Sequence, residues 1–253
     1  KEIPVLTHCI RGTIFYRGRK EDQWNRHPVF MQAKGNQEYE PLLLPEMDNV
    51  NFSINFTHPL NYLCLLDEYL LRQWVGKCST ETKKLFGYTD NNTALLYNLR
   101  NLKLCFGHYG GEDEWARFFE LDRDLHSIQL VKKPGHGLDF LFNDKQTELK
   151  GKPEQIWKDA DWYTIISSLI YQYPNVYADI SYILHDCVGV LPLLKQSLTQ
   201  ESGKLSERIL YGTDFYVVRN HKTDKNMLAD MRGGLTEKEF DQIARYNPVH
   251  FLK

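Results

Sequence analysis

Four compact apolar runs stand out along the sequence, and each is flanked by polar residues or by glycine. They lie at residues 3–7, 102–106, 175–183 and 206–214. Short and nearly continuous apolar runs of this kind are typical of strands that are buried on both faces of a parallel sheet. We therefore predict four buried strands.

Helical periodicity occupies most of the intervals between these runs. Within residues 56–74, apolar side chains recur at near-helical spacing, at Leu60, Leu63, Leu66, Leu70 and Trp74. Pro59 stands in the first turn of this segment, where its missing N–H costs little. Residues 159–174 predict a second helix, and Thr236 with Glu239 forms a capping-box pattern that opens a last one. Strands that alternate with helices predict an α/β fold with helices outside a parallel sheet.

Two further segments carry weaker patterns. Residues 12–49 are long, polar and interspersed with Gly, Asn, Gln and Pro, so we predict an excursion without regular elements. Residues 127–143 show two alternating runs around the Pro-Gly-His-Gly sequence at 134–137, which predicts a hairpin.

Composition narrows the class of protein. The 253 residues suffice for one large domain, and we treat 1–253 as a single domain. A formal net charge of −2 argues against a nucleic-acid partner, because no basic face dominates. The five cysteines show no C-x-x-C spacing, which favours reduced thiols over disulfides or a zinc knuckle. With no apolar run approaching a membrane span, we expect a soluble, cytoplasmic protein without membrane contact.

The residues at the ends of three predicted strands carry candidate chemistry. His8 and His108 follow the first and second apolar runs, and Asp214 ends the fourth. In a parallel α/β barrel, side chains at strand ends project into one mouth, where active sites form. Two imidazoles and a carboxylate suit zinc or another borderline divalent ion. Such an ion lowers the pKa of a bound water to near 7, and Asp214 is placed to take its proton.

Each of these residues also has a purely structural interpretation. A histidine after a strand is most often a hydrogen-bonded turn residue, and an aspartate there is commonly a helix cap. Arg11 is a candidate contact for an acidic substrate group, or alternatively a partner in a surface salt bridge. Tyr109, with Trp115 and Tyr216, is a candidate to line a substrate pocket, or alternatively packs in the core.

The same strand segments resemble a known family. The sequences "PVLTHC", "LKLCFGHYGG", "NVYADIS" and "RILYGTDF" resemble the second half of the amidohydrolase superfamily, in particular its amidohydrolase-related branch of metal-dependent hydrolases and decarboxylases. The resemblance implies a (β/α)8 TIM barrel in which these segments are strands five to eight. The stretches of about 12–50 and 111–160 correspond to insertions.

The resemblance also implies roles for the strand-end residues. His8 and His108 correspond to the metal-binding histidines of strands five and six, and Asp214 to the strand-eight aspartate that binds metal and exchanges the proton of the attacking water. The catalytic residues are then Asp214 and His108, the substrate is a small molecule, and the cofactor is a divalent metal, with zinc favoured. Arg11 and Tyr109 remain the candidate substrate contacts.

One departure from the family pattern shapes these expectations. The family's first strand ends in a His-x-His pair, and no such pair occurs in this sequence. We expect either an upstream segment of a longer polypeptide or a second copy in a homo-oligomer to complete the barrel. The expected activity is metal-dependent hydrolysis of a carbonyl-type bond. The alternatives are nonoxidative decarboxylation of an aromatic acid at the same site, and a non-catalytic relative that binds a ligand.

Overall fold

The computed structural model describes residues 3–12, 19–48, 51–120, 124–199 and 203–253. Six strands lie in these ranges. They are Val5–Ile10 (β1), Arg26–Gly35 (β2), Glu38–Leu43 (β3), Leu104–Gly110 (β4), Val176–Asp179 (β5) and Ile209–Leu210 (β6).

The four predicted strands form one parallel sheet in the order β1-β4-β5-β6. The α/β class is therefore confirmed. Neighbouring strands in this sheet are also consecutive along the chain among these four strands. The described residues form this open four-stranded sheet and no closed eight-stranded barrel, so the TIM barrel stays a prediction. The carboxyl ends of all four strands lie at one edge, where the candidate residues were expected to meet.

The helices are mostly short. They are Ser53–Thr57 (α1), Leu60–Leu66 (α2), Glu68–Val75 (α3), Thr80–Phe86 (α4), Glu112–Arg117 (α5), Leu125–Lys132 (α6), Pro153–Asp159 (α7), Trp162–Gln172 (α8), Cys187–Thr199 (α9), Phe215–Val218 (α10), Asp224–Gly234 (α11), Glu237–Asp241 (α12) and Asn247–Leu252 (α13). Short 3-10 segments lie at Asp22–Asn25, Pro134–His136 and Ile183–Asp186, and a π-helical turn at Gln242–Tyr246 joins α12 to α13.

Side-chain caps explain several helix boundaries. Asp67 accepts a hydrogen bond from the backbone N–H of Leu70 at 2.9 Å, and this cap divides the helix predicted over 56–74 into α2 and α3. Asp161 caps α8 in the same way. The predicted capping box of Thr236 and Glu239 is present at the start of α12.

The core lies between the sheet and helix α8. One face of the sheet presents Leu104, Phe106 and Ala178 to this helix. Ile165 and Ile166 of the helix are fully buried. Burial of aliphatic and aromatic surface of this kind is the main source of folding free energy.

Three predictions of local structure are wrong. The first strand was predicted to be buried, yet Val5 and Leu6 of β1 are 43% and 62% exposed, because β1 is an edge strand of the described sheet. The segment predicted as a hairpin around 134–137 begins instead with helix α6. Asp124 caps this helix by accepting hydrogen bonds from the backbone N–H groups of His126 and Ser127. The polar stretch 12–49 was predicted to lack regular structure, yet β2 and β3 form an antiparallel hairpin within it. Residues 13–18 and 49–50 of that stretch, and 121–123 of the second predicted insertion, lie outside the described ranges.

All five cysteines are free thiols, as their spacing predicted. Across the described ranges, no helix combines the length and apolar character that a membrane span requires.

Candidate functional site

The first two candidate residues lie on adjacent strands, β1 and β4. His8 is within β1 and pairs with Gly107, so the strand continues three residues beyond the end that the sequence predicted. A Cβ at Gly107 would lie 2.9 Å from the backbone oxygen of Thr7, so glycine allows β1 and β4 to approach closely. The pairing brings His8 and His108 to the same edge of the sheet.

The backbone is unusual at the candidate residues. His108, Tyr109 and Asp214 have φ values of 65°, 43° and 46°, in the left-handed region that residues other than glycine rarely adopt. The β1–β4 register also shifts beyond His8. Such conformations cost free energy and concentrate at functional sites, where the surrounding structure enforces them.

The two imidazoles face each other directly. Nδ1 of His8 lies 3.2 Å from Nε2 of His108, and the rings meet edge to face with centroids 4.9 Å apart. On its other side, Nδ1 of His108 lies 3.1 Å from the backbone oxygen of Ser181 and 3.0 Å from its hydroxyl. A carbonyl oxygen only accepts, so Nδ1 of His108 carries the proton and Nε2 presents a lone pair towards His8.

Asp179, at the end of β5, holds this arrangement in place. Its buried Oδ1 accepts hydrogen bonds from the backbone N–H of His108 at 3.2 Å and of Ser181 at 2.9 Å, and also from the Ser181 hydroxyl. Asp179 and Ser181 were not identified from the sequence. The signal that could have identified Asp179 was a carboxylate within a predicted buried strand, since a buried charge requires hydrogen-bond partners.

Replacing Asp179 by Ala is expected to lower the free energy of unfolding by about 2 kcal/mol, because two backbone N–H groups lose their acceptor. Urea denaturation measures the loss. The matched control is Asp144→Ala at an exposed turn residue, for which we expect a change below about 0.5 kcal/mol. Equal losses in the two variants would contradict the anchoring role of Asp179.

Electrostatics favour a neutral His8. Burial lowers the pKa of His8, the neighbouring His108 lowers it further, and the carboxylates of Asp214 and Asp179 raise it in part. Asp214 thus acts electrostatically on His8. Within the parts of the chain that the structure describes, no group of three or more His, Cys, Asp or Glu side chains is arranged to hold a metal ion. The structure therefore pairs His8 with His108 but does not show Asp214 as a third converging ligand.

The candidate substrate contacts differ in their placement. Tyr109 is fully buried, and its hydroxyl lies 3.0 Å from the Ser167 hydroxyl in the core, so the structure gives its side chain the packing role. Arg11 is half-exposed and forms ion pairs with Glu46 at 3.2 Å and Glu114 at 3.3 Å, as the structural interpretation anticipated. It also lines a cavity of about 200 Å³ that reaches Glu112 and Tyr182.

A row of aromatic rings extends from the histidine pair. The His108 ring centroid is 5.9 Å from that of Tyr182, which is 4.8 Å from that of His185. His185 in turn lies 4.9 Å from His221. Tyr182 and His221 were not identified from the sequence, because only the fold brings the two loops together.

Comparisons with known proteins identify no relative. No protein-family model, curated protein or solved structure matches this chain. The site must therefore be interpreted from its own geometry.

Proposed function

We propose that this protein is a metal-dependent hydrolase whose metal is held by His8 and His108 together with Asp214. The observation that carries the proposal is the 3.2 Å separation of His8 Nδ1 and His108 Nε2. Two nitrogens bound to one zinc ion at about 2.0–2.1 Å in tetrahedral geometry lie about 3.3–3.4 Å apart. The spacing of the pair therefore fits two ligands of one ion.

The surroundings of His108 also fit a metal ligand. Metal-binding histidines commonly donate their second ring N–H to a carbonyl or carboxylate, which fixes the tautomer and the ring orientation. Ser181 fills this position for His108, and Asp179 fixes Ser181 in turn. Asp214 and water are the candidates for the remaining coordination positions.

The residues around the pair support a hydrolytic role. A bound divalent ion would supply a water of lowered pKa as the nucleophile. In this proposal the Asp214 carboxylate would take the proton of that water, and His108, whose ring is fixed by Ser181, would help to hold the ion beside the substrate carbonyl. The cavity lined by Arg11 and Tyr182 has room for a small substrate, and an acidic group on it would compete with Glu46 and Glu114 for the Arg11 guanidinium.

Metal binding tests the proposal most directly. Titration of zinc into the metal-free protein is expected to give about one ion per chain by calorimetry, with at least about tenfold weaker binding in His8→Ala and in His108→Ala. The matched control is His250→Ala, an exposed histidine of α13 that is expected to leave binding unchanged. Unaltered zinc affinity in both site variants would overturn the ligand assignment.

Turnover separates hydrolysis from its alternatives. A panel of amides, esters, lactones and aromatic acids is incubated with the zinc-loaded protein, and products are followed by mass spectrometry. Water addition that is lost in Asp214→Asn supports the hydrolase. Carbon dioxide release from an aromatic acid would instead identify a decarboxylase, and zinc binding without turnover of any class would favour a binding protein.

A further inference from the structure

A second cavity, of about 620 Å³, lies among the 3-10 segment Asp22–Asn25, strand β2 and helices α1 to α3. Its walls include four aromatic side chains, which are Trp24, Phe56, Tyr62 and Trp74. Small-molecule sites commonly have volumes of about 300–1,000 Å³ and combine apolar walls with a few polar groups. The cavity has the size and lining of such a site.

Two buried polar residues of the lining have unmet hydrogen-bonding capacity. His27 and Asn55 are 1% and 3% exposed. His27 Nδ1 accepts from the N–H groups of Val29 at 3.0 Å and Phe30 at 2.8 Å, so the proton resides on Nε2, which has the Asn61 side chain as a polar neighbour but makes no hydrogen bond of acceptable geometry. Buried polar atoms without partners are rare and call for an explanation such as a bound ligand.

Asn55 presents the complementary group. Its Nδ2 donates to the backbone oxygen of Glu46 at 2.7 Å, which orients the amide and leaves Oδ1 without a donor. The residues that line the cavity therefore include one imidazole N–H donor and one amide oxygen acceptor that are both buried and unpaired.

The charge at this cavity is positive. Arg26 and Lys77 both line it. The Arg26 guanidinium is paired with Glu40 at 3.3 Å, whereas Lys77 donates to the backbone oxygen of Pro28 and, across the described residues, pairs with no carboxylate. An anionic group on a ligand would therefore find an ammonium group that no side-chain carboxylate neutralises.

We propose that this cavity binds a small aromatic carboxylate, with its ring between the tryptophans, its carboxylate at Lys77 and His27 Nε2, and any donor group at Asn55 Oδ1. Aromatic surfaces supply the burial and ring contacts, and the charge-assisted hydrogen bonds orient the ligand. The site does not depend on the proposed metal, because none of its lining residues belongs to the His8–His108 pair. One contact links the two regions, since the Tyr62 hydroxyl bonds to Thr7, which precedes His8.

Calorimetric titration with 2-naphthoate, in the presence of a chelator, tests the site. We expect saturable binding with Kd below about 1 mM, and at least about tenfold weaker binding of the uncharged 2-naphthamide. Lys77→Gln is expected to weaken naphthoate binding about tenfold. His27→Asn should do the same, since the Asn side chain can still accept from the backbone but lacks the Nε2 donor.

Two controls make the result specific to the cavity. Lys225→Gln removes an exposed lysine of α11 and is expected to leave the affinity unchanged. His8→Ala is expected to retain naphthoate binding, so failure of the metal proposal leaves this one intact. Absence of saturable binding to the folded wild type, equal affinity for naphthamide, or unaltered affinity in both Lys77→Gln and His27→Asn would each overturn the proposal.

Discussion

Replacing Glu114 by Ala is expected to lower the free energy of unfolding by about 2–4 kcal/mol. Glu114 lies on α5 with its side chain 1% exposed, and it forms ion pairs with Arg11 at 3.3 Å and Arg117 at 3.0 Å. It also accepts the backbone N–H of Trp162 at 2.9 Å. The Ala variant removes the carboxylate partner of the partly buried Arg117 guanidinium, which keeps its hydrogen bond to the Asp159 backbone oxygen, and it removes the acceptor of the buried Trp162 N–H. Loss of the partner of a charge and of the acceptor of a buried N–H are both destabilising.

Urea denaturation of three variants resolves the cause of that loss. Glu114→Gln keeps the side-chain shape and an acceptor for Trp162 N–H, so we expect it to lose less stability than the Ala variant. Asp113→Ala removes an exposed carboxylate from the adjacent position of α5 and is expected to cost less than about 1 kcal/mol. A loss in Glu114→Ala no greater than in Asp113→Ala would show that the buried cluster does not stabilise the fold.

The elements predicted from sequence are those whose signals are local. The buried strands β4 to β6 and helix α8 were identified because their apolar patterns are nearly uninterrupted. The β2–β3 hairpin was missed because its strands are largely polar, and its turn depends on left-handed φ values of 47° at Asn36 and 65° at Gln37. Gln rarely adopts this conformation, whereas the dipeptide Gly35-Asn36 favours hairpin turns and was the signal that the sequence did contain.

For the candidate site, the sequence predicted only the order of the strands that carry its residues. His8 and His108 follow apolar runs of neighbouring strands, so their meeting could be anticipated from parallel pairing. Asp179 contributes through backbone contacts that only the folded sheet creates. The row from Tyr182 to His221 joins residues on separate loops, and no periodic pattern connects such loops. The burial of Tyr109 likewise depends on a left-handed backbone that the sequence does not reveal.

Acid is expected to destabilise the protein through two buried histidines. Burial lowers the pKa of His27 from 6.5 to about 3, with Lys77 lowering it further and Asn61 opposing. Burial also lowers the pKa of His58, whose Nε2 lies 3.2 Å from the backbone oxygen of Trp157. Below pH 6.5 the unfolded chain therefore binds protons at these positions that the folded protein excludes. Their contribution to stability is complete above pH 6.5 and decreases as the pH falls.

The His27 contribution is measurable by comparing wild type with His27→Asn. Each pH unit between 6.5 and about 3 is expected to cost up to about 1.4 kcal/mol at this histidine. From pH 6.5 to pH 5 the wild type should therefore lose about 2 kcal/mol more than the variant in urea denaturation. The control His250→Asn, at an exposed position, should follow the wild-type pH dependence. Parallel curves for wild type and His27→Asn would mean that His27 is protonated equally in the folded and unfolded states, which its enclosure by Phe30, Trp74 and Trp157 argues against.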